Sequence, residues 1–151
     1  MEQTFSIHSE EIATFLGTAF LNTEQITLLS PWVSDITVRF PVCDRLSTRE
    51  LLLSESIRRF EVDVTVIVSP DASDHNWNKR YSLLPKIEDD VDIHSVENLH
   101  AKAIITDSIL YLGSANITYN GLNKNIELCQ LMENIQADTS RFLAERLDIH
   151  I

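Results

Sequence analysis

The stretch that decides the fold runs from Leu99 to Asn116, LHAKAIITDSILYLGSAN. It opens with His100, one spacer and Lys102; four residues separate the lysine from Asp107, and Gly113, Ser114 and Asn116 close it. On a β-strand, side chains two apart share a face. His100 and Lys102 therefore project together, while Ala101, Ala103 and Ile105 turn the other way into a core. A short turn at Asp107-Ser108 lets Ile109–Leu112 return as a second strand. The loop Gly113-Ser114-Ala115-Asn116 then brings a hydroxyl, a carboxamide and loop N–H groups to the end of the sheet that carries the imidazole and the ammonium. That donor set suits a phosphate: an imidazole can attack or carry a proton, and a fixed positive charge stands beside it.

The string His100-Ala-Lys102, Asp107, Gly113-Ser114-Ala-Asn116 resembles the HKD signature of the phospholipase D superfamily. The alanine spacer and Ile117-Thr118 after the asparagine are also similar to that family's usual filling. One departure stands out: five residues separate Asp107 from Gly113, where the family most often has six. The resemblance implies an α/β fold, a mixed sheet flanked by helices on both faces. It also implies phosphodiester chemistry in which His100 is the nucleophile, and Lys102, Ser114 and Asn116 hold the phosphate oxygens. Asp107 and Gly113 are then structural residues of the site. The family places an acidic residue shortly after this loop to hold the histidine through its second ring nitrogen, and Glu127 in Asn125-Ile126-Glu127 matches that position. The other reading of Glu127 is a solvated strand residue.

The rest of the chain sets bounds. Its 151 residues suffice for one phospholipase D-like domain, 1–151, with a real core, and 44% hydrophobic against 23% charged residues is an ordinary globular balance. No repeat or low-complexity tract is visible, and apolar runs such as Val62–Val68 are too short to cross a bilayer. The start carries acidic residues and no basic n-region, so no secretory signal is expected. Cys43 and Cys129 lie far apart without metal-type spacing and read as buried thiols in a reducing cytoplasm. The remaining histidines, His8, His75, His94 and His150, pair with no carboxylate or cysteine at zinc spacing, so neither metal nor cofactor is expected. A net charge of −11 opposes long-range attraction of nucleic acid. The basic residues are grouped, however, at Arg58-Arg59, Lys79-Arg80, Lys102 and Lys124, against acid at Glu88-Asp89-Asp90 and Asp92.

Patterning predicts a helix capped by Ser9 and running through Phe20, a strand Gln25–Ser30 ending in Ser30-Pro31-Trp32, and a short extended piece Ile36–Phe40. The Ser-Pro-aromatic turn is common near the pocket in the resembled family; it reads equally as a plain turn with a packing tryptophan. Ser47-Thr48-Arg49-Glu50 has the form of a capping box leading a helix to Phe60. Next come a valine-rich strand Glu61–Ser69, a polar loop 71–78 and a helix to about Ile87. Strands Val91–Ser95, Leu99–Thr106, Ile109–Leu112 and Asn125–Met132 follow, with a closing helix Asp138–Leu147.

One such motif supplies one histidine, whereas the resembled chemistry needs two: one attacks phosphorus, the other protonates the leaving oxygen and then activates water. A homodimer bringing two copies of His100 together is therefore expected. The resemblance implies a metal-independent nuclease on DNA, possible other subunits being those of a restriction or defence complex, with no membrane partner. Two alternatives stand beside it: a phosphodiesterase or phosphatidyl transferase on a lipid or small phosphodiester, and an inactive phosphate-binding subunit.

Overall fold

The computed structural model describes residues 4–41, 49–70, 82–134 and 138–151. Its elements are β1 (Thr4–Ile7), α1 (Glu11–Asn22), β2 (Gln25–Leu29), β3 (Thr37–Arg39), β4 (Glu50–Leu52), α2 (Leu53–Arg59), β5 (Asp63–Val68), α3 (Leu84–Ile87), β6 (Asp92–Ser95), β7 (Ala103–Thr106), β8 (Ile109–Gly113), α4 (Tyr119–Asn123), β9 (Cys129–Glu133) and α5 (Thr139–Leu147). Seven strands form one sheet in the order β1-β9-β8-β7-β2-β5-β6, and β3 pairs with β4 separately. The sheet changes sense at β2, which runs parallel to β5 and antiparallel to β7. Strands β7, β8, β9 and β1 continue antiparallel.

Alternation along the strands divides the core into two layers, because successive side chains leave opposite faces. On one face Ile26, Leu28, Val64, Val66, Ile104 and Tyr111 pack with Ile12, Leu16 and Phe20 of α1 and Leu53 and Ile57 of α2. On the other face Leu29, Ile67, Ala103, Ile105 and Leu110 meet Phe142 and Leu143 of α5. Helices thus cover both faces of a mixed sheet, as expected for this fold class. Phe20, Phe40 and Phe60 cluster at centroid separations of 5.3–6.5 Å, Phe40 stacked on Phe60 and Phe20 tilted against both, and join α1, the β3 segment and the end of α2. A buried carboxylate braces the same layer: Asp35 accepts from the Ser54 N–H at 2.8 Å, the Ser54 hydroxyl at 2.7 Å and the Lys86 ammonium at 2.9 Å.

Several boundaries differ from expectation. Ser9 does not cap α1; its hydroxyl reaches across to the Leu122 carbonyl at 3.0 Å, and Glu10 precedes the helix. Glu50 opens β4 rather than a helix; α2 starts at Leu53, where Glu55 accepts from the Leu52 N–H at 3.2 Å. Ser47 and Thr48, the other half of that expected box, lie outside the described residues, as do Cys43 and the loop holding His75, Trp77, Lys79 and Arg80. Regular pairing of β7 begins at Ala103, not Leu99, and β9 begins at Cys129, not Asn125. Three elements were not anticipated, β1, β4 and α4; the first supplies one border of the seven-stranded sheet, β6 the other. Asp138 caps α5, accepting from the Arg141 N–H at 3.3 Å.

Candidate active site

The two-residue turn Asp107-Ser108 places Ala103 opposite Leu112 and Ile105 opposite Leu110. One step further, the Gly113 N–H donates to the Lys102 carbonyl at 3.3 Å. The short Asp107–Gly113 spacing is therefore accommodated by the tight hairpin, with glycine and lysine still opposed. Chain alternation holds through the approach: Ala101 packs with the layer under α5, while His100 and Lys102 both line a cleft of about 360 Å³. Asn116, Trp32, Pro31 and Pro70 are among its other walls. Asn98, in the left-handed region at φ 61°, turns the chain into this approach; asparagine tolerates that conformation better than most residues. His100 is exposed and Lys102 half-buried. Among the described residues neither side chain has a hydrogen-bonding or ionic partner.

Asn116 is positioned from two directions. The segment after β2 clamps it from one side: the Ile117 N–H donates to the buried Ser30 hydroxyl at 3.1 Å, and the Ser34 N–H donates to the Ile117 carbonyl at 3.0 Å. The Ser30 hydroxyl donates to the Trp32 carbonyl at 2.7 Å and lies 3.4 Å from the Asn116 carboxamide oxygen. From the other side comes α4, capped by Thr118, whose side chain accepts from the Gly121 N–H at 3.0 Å. A Cβ on Gly121 would stand 2.2 Å from the Asn116 carbonyl oxygen, so only glycine lets this helix sit on the loop. Gly113 has a similar constraint, with the Leu128 carbonyl oxygen and the Tyr111 hydroxyl each 2.7 Å from a Cβ there.

Beneath the loop, Tyr111 is fully buried; its hydroxyl donates to the Ala115 carbonyl at 3.3 Å and meets Cys129 Sγ at 3.5 Å. Burial pushes the Tyr111 phenol far up, with the Cys129 contact adding to it, so the ring stays neutral. The Cys129 thiol is also pushed up, by burial first.

Three of the expected site residues make contacts other than those the resemblance implies. Glu127 does not reach the His100 ring in this chain: its carboxylate accepts from the Ser114 hydroxyl. The extended 126–128 segment runs beside Gly113-Ser114, so that hydroxyl is the donor it meets first. Ser114 is thereby committed, accepting also from the Leu128 N–H at 2.9 Å, and neither it nor Glu127 lines the cleft. Asp107 is structural but not at the site. It lies at the far end of β7, about 15 Å along the strand from Lys102, where it accepts from the Glu24 N–H at 2.8 Å and ties the hairpin to the α1–β2 turn. The structure thus brings His100, Lys102 and Asn116 together with Trp32, and leaves Ser114 with Glu127 on the neighbouring edge. The part played by α4 went unread, although Thr118 followed three residues later by Gly121 was the available cue.

A sheet of this order, bearing an imidazole, an ammonium and a carboxamide around one cleft, defines a phosphodiesterase of the phospholipase D type. The chain belongs to the phospholipase D superfamily: the family described as cardiolipin synthase, PLD-like domain, matches residues 37–145. No curated protein matches the sequence. Among solved structures it is similar in fold to Nuc from Salmonella typhimurium, a phospholipase D family member, at 15% identity and a TM-score of 0.57, with 89% of this chain and 83% of that one covered. NucT from Helicobacter pylori aligns at 16% identity and a TM-score of 0.58, covering 89% and 86%. Phosphatidylserine synthase from Haemophilus influenzae aligns at 12% identity and a TM-score of 0.62, but this chain spans only 37% of it. Among the described residues, no helix is long and apolar enough to cross a membrane, and no three His, Cys, Asp or Glu side chains gather as metal ligands.

Proposed function

We propose that the protein is a metal-independent nuclease acting on DNA through a phosphohistidine, with each site completed by a second copy of the chain. The observation that carries this reading is the convergence of His100, Lys102 and Asn116 on one cleft. In the first step His100 Nε2 attacks phosphorus and the P–O bond to the leaving oxygen breaks. The partner's His100, as imidazolium, gives that oxygen its proton. In the second step the now neutral partner imidazole takes a proton from water, the hydroxide attacks phosphorus and the P–N bond breaks, returning both histidines to their starting states. Lys102 and the Asn116 carboxamide stabilise the equatorial oxygens as charge builds on them.

The dimer is supported by an apolar edge beside the site. Ile126 is 103% and Leu128 69% exposed, on a segment fixed to Ser114 by three hydrogen bonds. Large aliphatic side chains held rigidly in water are costly, and a twofold contact would bury them. A charge of −11 calls for a basic partner to hold long DNA, which fits a subunit of a defence complex in the cytoplasm.

A second reading draws on a different observation. An apolar cleft of about 260 Å³, walled by Leu29, Leu110, Met132 and Phe142, lies between the sheet and α5 and also touches Lys102. It would suit the acyl chain of a phosphatidyl substrate. Cleavage of DNA and of a dispersed phospholipid, each in excess chelator and each compared with His100→Ala, separates the two. DNA hydrolysis lost in the variant supports the nuclease. Phospholipid turnover alone supports the transferase or lipase, and turnover of neither supports a phosphate-binding subunit. A species that scatters light as a monomer at assay concentration would overturn the shared site.

A further inference from the structure

Resting on the nuclease reading, we infer that the cleft takes its phosphodiester from an unpaired nucleotide, whose base stacks on Trp32, so that the substrate is single-stranded rather than duplex. Trp32 follows directly on the Ser30-Pro31 turn at the end of β2 and lines the same cleft as His100 and Lys102. Its backbone is fixed from beneath: the buried Ser30 hydroxyl donates to its carbonyl, and Pro31 accepts from the Ser69 N–H and hydroxyl at 3.2 and 3.0 Å. The ring is half-buried against the core, which holds it in place while it contributes to the wall. An aromatic residue immobilised beside a phosphate site is a platform for the base attached to that phosphate. Every base has a π-face, so the grip is indifferent to sequence.

The alternative grip is electrostatic, and it is poorly provided. Proteins that hold duplex by its backbone neutralise roughly 6–10 phosphates. Among the described residues lining this cleft, Lys102 is the one fixed cation, so a site shared by two copies has two, on chains that each carry −11. Duplex presents about one negative charge per 1.7 Å of axis, twice the density of a single strand, so the acidic body repels it more. A volume of about 360 Å³ is at the small end of ligand pockets. It admits a nucleotide-sized group and no stacked pair. A base held within a duplex could not reach the indole without leaving its stack.

The test compares three strands carrying the same phosphodiesters: a single-stranded oligonucleotide, its duplex, and a single strand with abasic sites in place of nucleosides. With the unmodified protein, kcat/KM should be at least about tenfold higher for the ordinary single strand than for either competitor, within the roughly 5- to 150-fold range of one stacked base. Trp32→Leu should erase the preference over the abasic strand mainly through KM, and Trp32→Phe should keep most of it. Equal cleavage of ordinary and abasic strands, or duplex cut as fast as single strand, would overturn the stacking inference and leave the nuclease standing. Cleavage of none of the three would overturn both. The abasic comparison needs no variant, so a Trp32→Leu protein that fails to fold does not shelter the inference.

Discussion

Replacing Gly121 by alanine tests whether α4 sets the position of Asn116. The new methyl would stand 2.2 Å from the Asn116 carbonyl oxygen and 3.0 Å from its nitrogen, where ordinary contact begins at 3.4 Å. Neither neighbour is a flexible side-chain end that can swing away. The same carbonyl accepts from the Thr118 N–H at 2.8 Å, so it is held where it is. Overpacking against backbone belongs at the upper end of the ~1–3 kcal/mol typical of such insertions. Alanine's better helix propensity returns up to ~1 kcal/mol, leaving a net loss of about 2 kcal/mol, or about 4–8 °C in Tm for a chain of this length. The clash is relieved only by parting helix and loop, which carries Asn116 away from His100 and Lys102. A displacement of about 1 Å at a reacting centre costs on the order of 100-fold in rate. Gly17→Ala is the matched control: its methyl would meet the Arg39 carbonyl oxygen at 1.8 Å, in the contact of α1 with β3 and away from the cleft. Both variants should lose stability in urea melts. Only Gly121→Ala should shift the side-chain amide resonances of Asn116 and lose turnover at a temperature where both proteins are folded. Unchanged stability and unchanged Asn116 resonances in Gly121→Ala would refute the reasoning.

Other outcomes follow from the same contacts. Lys86→Met leaves Asp35, whose side chain is 1% exposed, without its ammonium; since the Lys86 side chain is 35% exposed, the loss should be about 1–3 kcal/mol in urea unfolding, below the cost of breaking a fully buried pair. Ser114→Ala removes the group that joins Glu127 to the Leu128 N–H and should speed hydrogen exchange at Leu128 while costing about 1 kcal/mol. Ile126→Asp and Leu128→Asp should leave the fold intact and lower the apparent mass by light scattering from dimer to monomer; a variant that stays dimeric refutes that edge as the contact. The folded-state pKa of Cys129 is raised, chiefly by burial, so its thiolate is scarcer than in the unfolded chain at any pH below the folded value. Iodoacetamide at pH 8 should modify it slowly in the folded protein and quickly in urea, read by peptide mass; fast labelling of the native protein would contradict the packing.

Much of this was legible beforehand because it depends on alternation. His100 and Lys102 share a face, and Ala103 and Ile105 oppose them, in the structure as in the pattern. The apolar run that became β2 and the valine-rich run that became β5 announced themselves as strands buried on both sides. What alternation could not convey was which polar group meets which. Glu127 lay at the expected spacing, yet spacing says nothing of whether a carboxylate bends toward an imidazole or toward a nearer hydroxyl; the line of chain beside Ser114 decided that. Asp107 was read as part of the site because the motif is contiguous in sequence, whereas one strand's length carries the turn to the opposite end of the sheet. The Asp35–Ser54–Lys86 cluster joins positions 19 and 51 residues apart, and no local pattern marks such a meeting. Short elements such as α4 are stabilised by what they rest on, so propensity alone did not reveal it.

The order of strands has a consequence for how the protein comes into being. Pro31, Pro70, His100 and Asn116 meet only because β7 inserts between β2 and β8, and the loop carrying Asn116 is fastened by residues as late as Leu128. Pairings this remote in sequence close slowly, after the entropy of long loops has been spent. A chain still emerging during synthesis, or one cut short before Leu128, therefore has histidine and lysine without the fastened asparagine loop: the full site arrives late and all together.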